Sequence, residues 1–453
     1  MKRSAWRYLW TAHDIRRKLL ITILLLAIYR LASHFPVPGA NPDVVKDILN
    51  QGGAGGMLLG LLDMLSGGTV SSFSVLAMGV YPYITAQIII QLLTPIIPSW
   101  QRRAEEDPRE FQKWQEKWTY YMCVPMAALN AIGQINIFNY YGGGREIISN
   151  FNLFGSHAVY SWTVVLSMTA GTMFAIWLGE LISEYGIRNQ GLSLIIFAGI
   201  VSQIPSSISS LFADKQNWPF LLLLVVVVLP LTIFAIVYVQ QGRRNIPVMY
   251  PGRRVGRGMS MPVKGSLPLM VNMAGMIPLI FAQSILTFPA VIASFFTTQK
   301  GLIGSFARAV SNNLGGNSQT PTYWILYFLM VVAFTFFYTD VIFAQQNYGE
   351  NLKKAGAQVP GVSRGAPTQK YLTRVLRRIT FPGALFLGIV AIMPFLLSLL
   401  LSALGIGATS RASGLLLVSS SGLLIVVGVV RDTFFNIEAE LKLRGYDDAA
   451  LIH

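Results

Sequence analysis

Charge is scarce in this chain: of 453 residues, only 12% are Asp, Glu, Lys or Arg, about half the roughly 25% of a soluble domain. A globule of this size needs polar side chains over its whole surface, so the deficit excludes a soluble multi-domain enzyme and points to lipid as solvent. Cysteine is almost missing. The single Cys123 excludes an internal disulfide and a cysteine-based metal cluster. Histidine is sparse as well. His13, His34, His157 and His453 are scattered, and there is no phosphate-binding glycine loop with a Lys and no cluster of metal ligands. No metal, no cofactor and no enzymatic activity are therefore expected. One segment, Gly361-Val-Ser363-Arg-Gly365, fits the nucleophile-elbow pattern, but it sits in a basic loop beside Pro360, and an elbow needs a preceding strand and a His base. An intramembrane enzyme lacks its nucleophile, base and oxyanion constellation.

What the chain has instead is long apolar runs, near 19–37, 73–97, 119–138, 159–182, 191–211, 218–239, 267–296, 323–345, 379–404 and 413–430. Each can cross a bilayer. Ten spans put both termini on one side, although Gln203 and Pro205 interrupt the fifth run. Charge tests this topology independently. With a cytoplasmic N-terminus, the inside segments hold 28 Lys and Arg against six outside (Lys46, Arg145, Lys215, Lys300, Arg308 and Arg411), with Arg30 inside the first span. That asymmetry follows the positive-inside rule and explains a net charge of +15 without nucleic acid. No cleavable leader is read, because the first run starts at Leu19 behind a basic tail and continues too long for a signal core.

Two inside loops stand out. Residues 240–266 carry Arg243, Arg244, Arg253, Arg254, Arg257 and Lys264 with no acid; residues 346–378 carry Lys353, Lys354, Arg364, Lys370, Arg374, Arg377 and Arg378 against Glu350. Two readings stand side by side: topogenic charge lying against anionic lipid, and docking of an acidic or phosphate-rich partner. Between spans 1 and 2, the apolar run Met57–Ser66 lies between Gly52, Gly53, Gly55 and Gly56 on one side and Gly67 and Gly68 on the other. At about half a membrane thickness, it reads as a hinged half-helix folded back into the membrane domain or as an interfacial helix. Charge inside the runs is limited to Arg30, with Glu180 and Asp340 near span ends, so ion coupling lacks its usual residues. Gln87, Gln91, Asn272 and Gln283 read as interhelical hydrogen-bonding residues. A secondary transporter shares broken spans with this pattern, yet it would need a polar midplane site and coupling residues.

Several segments together are specific. Met64-Leu-Ser66-Gly-Gly68, Ala77-Met-Gly79-Val-Tyr-Pro82-Tyr-Ile84, Gln87-Ile-Ile-Ile-Gln91, Trp177-Leu-Gly-Glu180, Ile196-Phe-Ala-Gly-Ile200, Val271-Asn-Met-Ala-Gly275, Asn351-Leu-Lys-Lys354, Val359-Pro-Gly361 and Leu423-Leu-Ile-Val-Val-Gly428 occur in order along the chain. In these motifs the sequence resembles the SecY family, the channel subunits of the protein translocon, over essentially its whole length.

The resemblance implies an all-α membrane protein: ten transmembrane helices in two pseudo-symmetric five-helix halves with a re-entrant plug helix. The segments would be a cytoplasmic tail 1–18, a first five-span half 19–211 including the plug 57–68, a sixth span with its short outer loop 212–239, a basic loop 240–266, spans 7 and 8 at 267–345, a second basic loop 346–378, spans 9 and 10 at 379–430, and a cytoplasmic tail 431–453. It assigns a pore ring to Val80, Ile84, Leu192, Ile196, Ile280 and Ile425, and the plug to Met57, Leu58, Leu61, Leu62, Asp63, Met64, Leu65 and Ser66. Spans 2 and 7 would form a lateral gate carrying Gln87, Gln91, Asn272 and Gln283; Arg243, Arg244, Arg253, Arg254, Arg257, Lys353, Lys354 and Arg364 would dock partners. The implied partners are SecE-type and SecG-type small subunits, the SecA motor, the ribosome, signal sequences and nascent polypeptides, and anionic lipids, in the cytoplasmic (inner) membrane. Two departures from the family occur: the turn before span 5 reads Gly186-Ile-Arg188-Asn-Gln190-Gly-Leu192, and Ser363 precedes Arg364 where the family has Arg at once.

Overall fold

A computed structural model describes residues 13–41, 69–70, 73–141, 147–148, 151–152, 155, 158–188, 190–213, 218–250, 254–255, 258–259, 263–294, 296, 301–314, 321–403 and 410–443. The plug segment 57–68 lies outside the described residues, as do Arg253 and Arg257.

The structure is mostly helical. In chain order the elements are α1 (His13–Ala32), α2 (Tyr81–Leu93), α3 (Pro98–Glu106), α4 (Pro108–Tyr141), α5 (Ala158–Tyr185), α6 (Gly191–Ala213), α7 (Trp218–Gln241), β1 (Arg243–Tyr250), β2 (Arg254–Val255), β3 (Gly258–Met259), β4 (Val263–Met270), α8 (Ile277–Ser294), α9 (Leu302–Leu314), α10 (Pro321–Gln346), α11 (Tyr348–Lys354), α12 (Ala366–Ala403) and α13 (Ser410–Leu443). Among the described residues, four helical stretches are long and apolar enough to cross a membrane: Arg109–Asn139, Ala158–Tyr185, Pro321–Lys354 and Ala366–Met393. Counting the pair Tyr81–Leu93 and Pro98–Ala104, bent by 97°, as one broken span makes five. Shorter apolar stretches run over Gly191–Ser202, Val226–Gln241 and Ile277–Leu286.

Helix boundaries depart from the apolar runs in ways that backbone pairing explains. The run 73–97 becomes helical only at Tyr81. Before it, the Val37 N–H donates to the Phe73 carbonyl (3.0 Å) and the Val75 N–H to the Phe35 carbonyl (3.0 Å), so turn residues 73–75 are held by an isolated antiparallel bridge between Ser74 and Pro36. Phe73 and Gly79 both adopt positive φ, 42° and 51°, which ends any helix there. Pro82 then sits in the first turn of α2, where its missing N–H costs nothing. Conversely, α6 continues through Pro205 to Ala213. Proline inside a membrane helix is tolerated because neighbouring groups satisfy the freed backbone.

The wholly helical expectation needs one correction. Within the basic loop 240–266, β1 pairs antiparallel with β4 from Arg243↔Met270 to Tyr250↔Val263, and this pairing continues into the apolar run 267–296. In β1, Ile246 and Val248 face inward while Arg244, Asn245 and Pro247 are exposed, a two-residue period that suits a half-buried strand. The apolar run 267–296 therefore becomes helical only at Ile277.

A large apolar cluster joins α1, α2, α4, α5, α6, α7, α8, α10, α12 and α13. A second gathers Val37, Val70, Phe73, Phe138, Ile147 and Ile148, with Phe73 and Phe138 edge to face at 5.3 Å. Around them, Leu24, Val159, Phe234, Ile325 and Leu399 are among many large apolar side chains left exposed, the surface of a protein whose solvent is lipid.

Candidate functional site

The residues assigned to a ring are far apart in sequence and come from four elements or their flanks. Val80 precedes α2 and Ile84 lies in its first turn; Leu192 and Ile196 are on α6, Ile280 on α8 and Ile425 on α13. All six belong to the large apolar cluster. Val80, Ile196, Ile280 and Ile425 are 1%, 4%, 6% and 0% exposed, while Ile84 and Leu192 are half-buried against the cluster. Close helix approach sets the position of α6. The Gly191 N–H donates to Ser183 Oγ (3.1 Å), and Gly191 packs so tightly on Gly179 of α5 that an added Cβ would lie 1.7 Å from the Gly179 carbonyl oxygen. Leu192 folds over Gly179 in turn. An aliphatic lining has a definite chemistry. It excludes ions by dewetting while offering no hydrogen bonds to trap a passing chain.

The polar residues assigned to a gate separate into two groups. Gln87 and Gln91 on α2 line an open cavity of about 490 Å³ with Tyr83, Gln115, Tyr338 and Gln346. Sequence reading missed Gln112, Gln115 and Gln346 in this lining, although Gln87/Gln91 and Gln112/Gln115 have the spacing of one helix face. Gln283 is buried on α8, and α8 packs against α2. Asn272 differs. Counted with span 7, it precedes α8, and its Nδ2 donates to the Gly275 carbonyl (2.9 Å), where Gly275 has φ +63°. It braces the turn into the helix, a role that its place in an apolar run concealed.

The two basic loops form one unit. The Met249 N–H donates to the Gln358 carbonyl (2.9 Å) and the Gln358 N–H to the Met249 carbonyl (3.0 Å). Beneath this bridge Ile246, Val248, Leu269, Phe343, Leu352, Val359, Leu372 and Leu376 make their own core. Arg243, Arg244, Lys353, Lys354 and Arg364 are exposed on this unit; the Arg364 Nε donates to Gln358 Oε1 (3.1 Å), tying it to the bridging residue. Arg254 is placed by its backbone, in a short ribbon opposite Met259. Ser363 of the elbow-like motif is exposed in the irregular stretch before α12, and its carbonyl accepts from Thr368 Oγ1 (2.7 Å). Replacing Gln358 by Pro removes one bridging donor, about 1–2 kcal/mol including strain on its partner bond. Hydrogen exchange at Met249 should then quicken roughly tenfold, with α10 and α12 unchanged.

Beside that unit, between α10–α11 and the first turns of α12, lies an open groove of about 720 Å³ lined by Asn347, Glu350, Gln369, Lys370, Thr373, Arg374, Arg377 and Arg378. Arg377 is engaged by Asp340, Nη2 to Oδ2 at 2.9 Å.

A sequence model of SecY matches residues 74–434. The chain belongs to the SecY family. It is 37% identical over 447 residues to the protein translocase subunit SecY of Aquifex aeolicus (strain VF5), covering 97% of each chain. It is 39% identical to that of Halalkalibacterium halodurans over 452 residues, covering 96% of each. Among solved structures, a SecY whose plug domain stabilises the closed state of the translocation channel aligns with TM-score 0.56 and 18% identity over 93% of both chains. Sec61 in a canine ribosome–channel complex aligns with TM-score 0.52 and 17% identity, again over 93% of each. The SecY fold is thus that of this chain, and a member of this family is a multi-pass membrane protein and a transport pore.

Proposed function

We infer that this chain is the central pore subunit of a protein-conducting channel, which passes secretory polypeptides across a membrane and releases membrane-protein helices sideways into lipid. Its relatives are named protein translocase subunits. The observation that carries the pore reading is the meeting of Val80, Ile84, Leu192, Ile196, Ile280 and Ile425 in one apolar cluster. In this reading ten helices span the cytoplasmic membrane with both termini inside, as the 28-to-six charge asymmetry supports. Segment 57–68 is the plug. Helices α2 and α8 are the two sides of the lateral gate, where about twenty apolar residues of a passing chain gain by partitioning into lipid.

The pore is passive. Energy comes from partners that dock on the two-loop unit through Arg243, Arg244, Arg254, Lys353, Lys354 and Arg364, with Arg253 and Arg257 beside them: the SecA motor, or a ribosome whose RNA phosphates attract basic side chains. The ribosome complex of the structural neighbour Sec61 supports the latter. Small SecE-type and SecG-type subunits complete the complex.

The test uses the one native cysteine. In a Cys123→Ser background, single cysteines at Ile84, Ile280 and the exposed Leu231 are combined with a cysteine-bearing secretory chain arrested midway. Cross-links at Ile84 and Ile280 without one at Leu231 are expected. Engaged chains that cross-link at neither ring position would remove the pore assignment.

A further inference from the structure

The groove between α10–α11 and α12 has a position that composition alone does not reveal. Along α12, Arg374, Arg378, Phe381, Ile389, Leu396 and Leu399 recur at three- and four-residue steps or their multiples and are all exposed, so they form one stripe. From Phe381 to Leu399 the stripe is apolar, and at 1.5 Å per residue it is about 27 Å long, close to the roughly 30 Å hydrocarbon core of a bilayer. Placing that length in lipid puts Arg378 and Arg374 at the level of the headgroups. Lys370 follows one turn beyond, and Phe381 lies one turn below, its ring 6.5 Å from that of Phe336.

We propose that this groove is a binding site for an anionic phospholipid, its phosphate held by Lys370, Arg374 and Arg378 and an acyl chain lying along Phe381 and Phe336. The proposal rests on the membrane-spanning reading of α12. Charge supports it: Arg377 is engaged by Asp340 and Glu350 approaches Lys354 (3.9 Å), whereas Lys370, Arg374 and Arg378 form no ion pair among the described residues. Two arginines suit a phosphate because each guanidinium can grip two oxygens. Continuity with a lipid-facing stripe favours lipid over a soluble polyanion, which would meet the exposed loop residues Lys353 and Arg364 first.

The experiment uses the full chain in complex with its co-purifying subunits, in mild detergent, titrated with dioleoyl phosphatidylglycerol or dioleoyl phosphatidylcholine and read by native mass spectrometry. At about 1 kcal/mol per basic residue, Lys370→Gln/Arg374→Gln/Arg378→Gln lowers phosphatidylglycerol affinity on the order of a hundredfold, and Arg374→Gln alone about fivefold. Phosphatidylcholine binding stays unchanged. One comparison keeps near wild-type affinity: Arg102→Gln/Arg103→Gln/Lys113→Gln, which removes equal charge from exposed sites elsewhere. The proposal is overturned if the groove variants bind phosphatidylglycerol like wild type, or if the distant variant loses as much. It is equally overturned if the groove variants keep the lipid and lose a short RNA, for then the groove serves a nucleic acid. Cross-linking of the arrested chain is read separately, so failure here leaves the pore reading standing, and the reverse.

Discussion

Vesicles containing the complex with Ile280→Asn and Ile425→Asn are expected to leak potassium at least tenfold faster than those with the native chain. Both side chains are buried in the large apolar cluster. A narrow aliphatic constriction stays dry because water entering it gives up hydrogen bonds that the wall does not replace. Two carboxamides replace them and seed a water column, and every ~1.4 kcal/mol removed from the barrier multiplies the flux tenfold. Ile280→Val with Ile425→Val changes size slightly and polarity not at all, so it should leak little more than the native protein. The comparison is repeated in a chain lacking residues 57–68, so that a seal made by that segment cannot hide the effect. A folded asparagine variant as tight as the valine variant in both backgrounds would show that these residues do not line a conduction path.

Gly191→Val is expected to prevent accumulation of folded protein. The new Cβ would lie 1.7 Å from the Gly179 carbonyl oxygen and 2.7 Å from Ser183 Oγ. A side chain can rotate away from such a collision, but a carbonyl moves only with its helix, so α5 and α6 must separate along their crossing. Overpacking a core costs about 1–3 kcal/mol where side chains absorb it, and here the cost lies above that range. Separation of α6 from α5 also displaces Leu192 and Ile196. Gly361→Ala provides the contrast. Nothing lies within 4 Å of its added Cβ, but φ is +80°, so only backbone strain is incurred, about 1 kcal/mol. Size-exclusion profiles of a fluorescent fusion, with thermal unfolding of the surviving peak, separate the two. Native accumulation of Gly191→Val would mean that the helices have room that this packing denies.

Much of this molecule follows from local sums along the chain. Scarce charge, long apolar runs and basic residues on alternate loops are additive properties of short windows, and they determined the lipid solvent, the helical class and the proposed topology. Specific segments such as Ala77-Met-Gly79-Val-Tyr-Pro82 and Val359-Pro-Gly361 determined the family. Hydropathy could not say where α2 begins, because the residues before it pair with Phe35 and Val37, remote in sequence. It placed Asn272 and the end of β4 in a span, since a ribbon edge and a membrane helix can be equally apolar. Nor could it join Met249 to Gln358, bring six aliphatic side chains from four elements into one cluster, or set Arg374 and Arg378 beside a groove with Asn347 and Glu350. Those arrangements depend on pairings between distant segments, whose energies no single window contains, and only the tertiary structure decided them.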